Sequence, residues 1–532
     1  VFLAQTDWSN TVLKDLPLIM PEVWLVLGMC AAILAPFYNR EKTVLPIALS
    51  AASLFLALVF TVVGLAGDGQ DGFRTIFWGS LTIDPFSQFF KVMLIVFSML
   101  VILQWLITSR NSVDAWDVPD FLCLLLGATF GMMLMASANN LLMVFVATES
   151  ASIPSFALAG FRKKQARSTE GSFKYVLFGA AASAIMVYGM SLIYGTTGTL
   201  GLGEVAAAVT AKGISPLLAI GLAAMFAGFA FKLSAVPMHF WCPDVFEGAP
   251  TEVTTFLSVA SKGAAVVMLV RVLENFAFAA GATEPFYGMA SGIGILGAIT
   301  ATWGNLMALH QFNLKRMLAF SSIGHAGYMI MGAACLLLPN SEGVASALLF
   351  YIMVYMFMNL GAFTVVALVA NRIGSEDLRD YTGLWKRHRF LSVVLLIFLL
   401  SLFGMPGLGG FMGKLFLVMA MAKGGAGGFV LIAVLLINTV ISLYYYFGKP
   451  VKYMVLDSKE DQQPMSPISW PSMSVLVLCG AVLLLTGLAP NFAKTLTEDF
   501  SSINPRSATN ASTEAPVTLE SPAAVISEQN DG

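Results

Sequence analysis

The sequence predicts an all-α polytopic membrane protein of about fourteen transmembrane helices, two of them broken. Three observations predict it. Of 532 residues, 57% are hydrophobic and only 11% charged, with a mean hydropathy of +0.79; a soluble domain could not hide so much apolar surface, whereas a bilayer demands it. The apolar residues gather into runs of about 20, the length that crosses a hydrocarbon core. Lysine and arginine cluster on alternate connections between those runs, the bias that sets orientation.

In chain order the runs fall near 17–37, 44–66, 84–109, 118–136, 139–160, 172–195, 215–241, 250–275, 288–309, 316–338, 345–370, 390–421, 426–448 and 471–489. A three-helix N-terminal segment (1–117) precedes a first five-helix block (118–275), a second (288–450), a C-terminal helix (451–489) and a polar tail (490–532). Leu16 to Phe37 is too long for the apolar core of a signal peptide and carries Glu22. The tail is rich in Ser, Thr, Ala, Pro and Glu and is expected to be disordered, or ordered only against a partner.

Basic residues follow the odd-numbered runs: Arg40 and Lys42, Arg110, the Arg162 to Arg167 group, Lys315 and Arg316, the Arg372 to Arg389 group, and Lys449, Lys452 and Lys459. The other loops hold little beyond Arg74, Lys212 and Lys423. This pattern puts the basic loops in the cytoplasm and both termini outside; an even helix count likewise keeps the two termini on one side.

Two runs are interrupted, at Pro237 and within Gly404-Met-Pro-Gly-Leu-Gly-Gly410. Proline removes a backbone donor and collides with the preceding turn, so each helix should kink or break there. Matching breaks in two halves point to inverted repeats, here helices four to eight and nine to thirteen, with ion sites at helices seven and twelve. The lysines do not share that register, since Lys232 precedes its break and Lys414 follows.

Four charges stand at bilayer depth. Glu149 lies midway along the fifth run and Lys262 midway along the eighth; Lys232 and Lys414 occupy the broken helices. An unpaired charge there costs roughly 3 to above 10 kcal/mol, so each is paired, hydrated or neutral at rest. Structural ion pairs are the plain alternative, but three lysines to one acid make a poor staple and a reasonable proton wire. Burial disfavours a charged amine or carboxylate and an opposite charge favours it, so groups between those terms can load and release protons.

Lys174, four residues after Glu170, is a further candidate that could instead snorkel to the interface. His239, two residues past Pro237, and His325, in Ser321-Ser-Ile-Gly-His-Ala-Gly-Tyr328, are read as relays because imidazole titrates near neutrality; a hydrogen-bonded helix contact is the alternative. Asp84, before Pro85, reads as a helix cap without chemistry.

The five cysteines stand singly, without a CxxC pair, and neither a strand-linked GxGxxG nor a Walker loop occurs, so no metal or cofactor site is expected in this chain. The net charge of -2 and the lack of a basic domain give no sign of nucleic-acid binding.

The run Lys232-Leu-Ser-Ala-Val-Pro-Met-His-Phe-Trp-Cys-Pro-Asp-Val-Phe-Glu-Gly-Ala-Pro250 resembles the antiporter-like membrane subunits of proton-pumping NADH:quinone oxidoreductase, respiratory complex I, and within them subunit N. Ala166 to Tyr175, Gly304 to Arg316 and Ser321 to Tyr328 fit the same family. The resemblance implies a fourteen-helix fold with two inverted repeats and a proton-translocating translocase subunit driven by redox chemistry elsewhere. Flavin, iron–sulfur clusters and quinone are then expected in partner subunits, and other membrane-arm subunits are the partners. It also implies that Glu149 pairs with Lys232, that Lys262 links the half-channels towards Lys414, and that Lys174 is the family's helix-six lysine. The chain departs from the family pattern at Gly407, where a second proline is usual, and at Gly263, where alanine is usual. A stand-alone or Mrp-type cation/proton antiporter subunit is the alternative function, since the same lysines would serve it.

Overall fold

In hydrocarbon every backbone donor and acceptor has to be satisfied internally, which favours uninterrupted helices. The computed structural model describes residues 14–38, 43–67, 73–109, 117–280, 285–456 and 465–501. Its helices are α1 (Met20–Tyr38), α2 (Val44–Gly67), α3 (Pro85–Thr108), α4 (Val118–Ser137), α5 (Leu141–Ala159), α6 (Ala166–Thr197), α7 (Leu202–Lys212), α8 (Pro216–Leu233), α9 (Trp241–Gly248), α10 (Thr251–Phe256), α11 (Lys262–Ala280) and α12 (Pro285–Ala308). There follow α13 (Leu314–Ala334), α14 (Val344–Ile373), α15 (Leu384–Arg387), α16 (Arg389–Phe403), α17 (Gly409–Ala422), α18 (Gly425–Leu443), α19 (Lys449–Val451), α20 (Trp470–Leu488) and α21 (Pro490–Asp499). Among the described residues twelve helices are long and apolar enough to cross a membrane. α12 is long enough but less apolar, and α16 and α17, of 15 and 14 residues, are each too short to cross alone.

The all-α expectation misses one hairpin, β1 (Arg74–Ile76) and β2 (Leu81–Ile83), antiparallel with Thr75 opposite Thr82. It sits against the loops at Asn139 and Leu200 to Leu202, where Asn139 N–H bonds Ser80 O and Leu202 N–H bonds Asn139 O. Basic loops meet at the other end of the bundle: Arg316 and Lys174 share Asp244, Arg167 and Arg316 share Glu247, and Lys315 binds Glu376. Arg40, Lys42, Arg110 and Lys459 lie outside the described residues.

Both breaks close in the same way. α8 ends at Ser234 in the left-handed region (φ 56), with Ala235 N–H reaching Ala230 O and Ser234 N–H reaching Phe231 O. α16 ends at Gly404 (φ 96), with Met405 N–H on Leu400 O and Gly404 N–H on Ser401 O. This is the Schellman closure, one bond spanning six residues and one spanning four. A prolyl residue follows within three positions, and the residue before proline is kept out of the α region, so neither helix can resume at once. The helix therefore stops at Leu233, four residues short of Pro237. At the second break the two halves nearly touch: Gly410 N–H bonds Ser401 Oγ at 3.2 Å, and a Cβ on Gly410 would collide with the Ser401 carbonyl.

Two buried ion pairs join α1 to α3 and α3 to α11. Lys91 meets Glu22 at 2.7 Å. Arg271 forks onto both Asp84 oxygens at 2.8 and 2.9 Å and donates its Nε to Ala136 O. Asp84 also caps α3 in a capping box with Ser87, so it is a cap, as read, and half of a buried bidentate pair as well.

The expectation of a disordered segment from 490 fails for its first part. Pro490–Asp499 is helical, with Ala493 and Thr497 buried, Ser346 donating to Thr497, and Phe500 stacked on Phe89. Those few apolar contacts suffice to order it; the remainder of that tail, 502–532, lies outside the described residues.

Candidate functional site

The candidate site runs through the centre of the bundle. Residues 251–273 of this helical stretch and α13 from Met317 onward are buried all round, so each polar side chain they carry has to find its partner inside. A π-helical turn, Leu257–Ser261, ends at Lys262; such turns widen a helix locally and recur at functional sites.

Lys232, Lys262 and Lys414 are 1%, 1% and 6% exposed. Among the described residues none has a carboxylate within 4.0 Å, in contrast to Lys91 and Arg271. Each ammonium bonds neutral groups instead. Lys232 donates to Ser152 Oγ at 2.9 Å. Lys262 donates to Ser322 Oγ at 2.6 Å and Cys242 Sγ at 3.6 Å, and lies over the Phe246 ring. Lys414 donates to Phe403 O at 2.7 Å and Thr439 Oγ1 at 3.4 Å, and faces the Tyr328 ring. An amine held by neutral acceptors keeps geometry for both its charged and its neutral form.

Glu149 is half-buried and accepts a short hydrogen bond from Ser183 of α6. It is within electrostatic reach of Lys232 but does not form the direct pair that the resemblance implied. The link is indirect, because Ser152, which takes the Lys232 proton donor, lies one turn along α5 from Glu149.

His325 is buried on α13, one turn from Ser322, with Nδ1 on Tyr351 OH at 2.6 Å and Nε2 on Tyr446 OH at 3.1 Å. Tyr446 OH also makes a short contact with Ser321 Oγ. Beyond it, Tyr445 donates to Asn305, which donates to Tyr328. Polar groups thus span from Lys262 through Ser322, His325 and the tyrosines towards Lys414. None of these tyrosines was assigned a role from the sequence. The available signal was Tyr351 and Tyr355, polar-tipped rings four apart in an otherwise apolar run.

Two predicted residues stand apart. His239 is buried in the first break against Phe240 and Trp303, and its Nδ1 has no hydrogen-bond partner among the described residues. Lys174 pairs with Glu170 and Asp244, both at 2.7 Å, in the charge cluster of the basic end. Among the described residues no group of three or more His, Cys, Asp or Glu could hold a metal ion.

Residues 138–442, which contain Glu149, Lys174, Lys232, His239, Lys262, His325 and Lys414 and end just before Tyr445 and Tyr446, match the family described as NADH:quinone oxidoreductase/Mrp antiporter, TM. The chain is 38% identical over 461 residues to NADH-quinone oxidoreductase subunit N of Anaeromyxobacter sp. (strain Fw109-5), covering 82% of this chain and 87% of that one. Among solved structures, a chain of respiratory complex I from Thermus thermophilus with bound aureothin aligns with a TM-score of 0.72 and 30% identity, over 90% of this chain and 100% of that one. A chain of the Mrp complex from Dietzia sp. DQ12-45-1b shares the fold, with a TM-score of 0.77 at 19% identity over 92% of this chain and 97% of that one.

Proposed function

The chain belongs to the NADH:quinone oxidoreductase/Mrp antiporter membrane family, within it to the subunit N group, and from that premise we propose how it works. It is a proton-translocating membrane-arm subunit of a NADH-quinone oxidoreductase, assembled with other membrane-arm subunits in a bacterial membrane. The observation that carries the mechanism is that three bilayer-depth lysines are buried on neutral partners while the structural cations Lys91 and Arg271 are salt-bridged.

Redox chemistry in partner subunits, which supply the flavin, iron–sulfur and quinone groups, shifts Glu149 relative to Lys232. Losing a nearby negative charge favours the neutral amine, so Lys232 gives up its proton. The proton moves to Lys262, then through Ser322, His325, Tyr351 and Tyr446 to Lys414 and out. Coupling of this kind acts only through the different stabilities of the charged states. We read α12 as the ninth span and the broken pair α16–α17 as the twelfth, which brings the total to fourteen, the two Schellman breaks as equivalent points of two inverted repeats, and the termini as periplasmic. Lys174 and His239 are assigned to the uptake side and to the first break, beside the main wire.

The test is NADH-driven proton release by the assembled enzyme in proteoliposomes. Lys232→Ala or Glu149→Ala is expected to lower it sharply; full pumping by both would refute the mechanism. The shared fold of the Mrp chain supports a second reading, redox-independent cation/proton antiport. Flavin and iron–sulfur absorbance in the purified assembly favours the first, and its absence the second.

A further inference from the structure

We infer that Glu252 is the carboxylate that takes protons up from the basic end of the bundle and delivers them along its own helix towards Lys262. The inference rests on the proton-wire reading above and adds its source.

A polar cavity of about 510 Å³ opens at the basic end, lined by Ser109, Arg162, Thr251, Lys315 and Glu376 among others. Glu252 lies directly behind that lining. It is 2% exposed and accepts from Ser109 Oγ at 3.1 Å. Among the described residues it has no ion pair within 4.0 Å. The cations within electrostatic reach are Arg162 and Lys315. Lys315 is already held by Ala249 O and Glu376. A carboxylate buried without a salt bridge is expensive when charged. As a structural element it is a poor choice, whereas as a group that picks up a proton at a wet boundary it has a use.

The route inward is built of side chains that can accept one proton and release another. From the cavity wall to Lys262 the helix carries Thr251, Thr255, Ser258 and Ser261, all buried, one every three or four residues. Gln104 donates to Thr255 Oγ1 at 3.0 Å, and its own Oε1 is buried without a partner among the described residues. Buried polar atoms in that state are normally satisfied by water. Ten residues separate Glu252 from Lys262, about 15 Å at helical rise. In the step proposed, a hydronium in the cavity hands its proton through Ser109 to Glu252 and is left as water; the proton then passes along the hydroxyls and the water between them and binds Lys262 once that amine has passed its own proton on towards Lys414, leaving Glu252 ionised.

The experiment uses the complete enzyme in proteoliposomes, comparing Glu252→Gln, Glu252→Asp and Lys262→Ala. Electron transfer and protons moved per electron are read across the pH of the uptake side. Glu252→Gln keeps the Ser109 hydrogen bond but cannot ionise. It is expected to lose as much pumping as Lys262→Ala and to flatten the pH profile, with Glu252→Asp restoring part of both. Unchanged pumping and pH profile in Glu252→Gln beside a Lys262→Ala that has lost pumping overturns the uptake role and leaves the wire standing. Normal pumping by Lys262→Ala overturns the reading beneath it. If Glu252→Gln fails to assemble, Thr255→Val decides: slowed pumping supports the ladder, and wild-type pumping overturns it.

Discussion

Lys414, on the second half of its broken span, donates its ammonium to the carbonyl of Phe403, the last helical residue of the first half, at 2.7 Å. The carbonyl end of a helix carries partial negative charge, so the break itself supplies the partial counter-charge that no carboxylate among the described residues provides. Lys232 occupies the last turn of α8, the same electrostatic position in the other broken span. The two lysines that fall out of register in sequence are therefore alike in space, one rooted in the first half-helix and the other reaching back to it.

That contact separates holding from pumping. Lys414→Arg keeps a cation at the Phe403 carbonyl, but guanidinium does not give up its proton in proteins. The variant is expected to assemble and to lose pumping, read as protons per electron in proteoliposomes. Lys414→Met leaves the carbonyl uncapped and is expected to weaken the subunit by about 1–3 kcal/mol as well, read as reduced assembly on native gels.

The His325 pair of phenols gives a second prediction. Tyr351→Phe and Tyr446→Phe each remove one hydroxyl from the imidazole while filling the same space. Folding is expected to change by about 1 kcal/mol, while the pumping rate falls with electron transfer to an artificial acceptor unaltered. Single-variant rates and thermal midpoints measured side by side check this.

Buried pairs outside the wire should behave in the opposite way. Asp84→Ala strands the Arg271 guanidinium, and breaking such a pair costs about 3–5 kcal/mol. Assembly and thermal midpoint are expected to fall, yet the enzyme that does assemble should move its normal number of protons per electron.

The second break depends on close approach at Gly410. Gly410→Ala drives a methyl into the Ser401 carbonyl, and overpacking of this sort costs about 1–3 kcal/mol. Gly480→Ala, whose added carbon meets nothing within 4 Å, serves as the control and should be neutral or slightly stabilising. Equal stability of the two variants would contradict the account of the break.

Much of this architecture was legible because bilayer physics writes it plainly: long apolar runs, basic loops on alternate sides, and prolines where helices stop. The midspan lysines stood out for the same reason. What stayed hidden were relations that only folding creates. Lys91 and Glu22 are 69 positions apart and sit in runs that read as ordinary spans, so nothing in the order of residues announces their contact. Tyr446 ends an apolar helix and looks like an interface ring until His325 is placed beside it. Ser152 and Ser322, the partners of Lys232 and Lys262, are ordinary helix serines in sequence. The Schellman closure at Ser234 was also illegible, since serine rather than glycine takes the left-handed position, at a cost of roughly 1–2 kcal/mol.

The central claim is that the buried amines are there to exchange protons. Lys262→Met tests it most directly, because methionine fills the space, keeps the site apolar and cannot bind a proton. Protons moved per electron should be measured in the assembled enzyme with quinone reduction monitored in parallel. The account predicts a marked fall in that ratio with the subunit still in place; an unchanged ratio would contradict it.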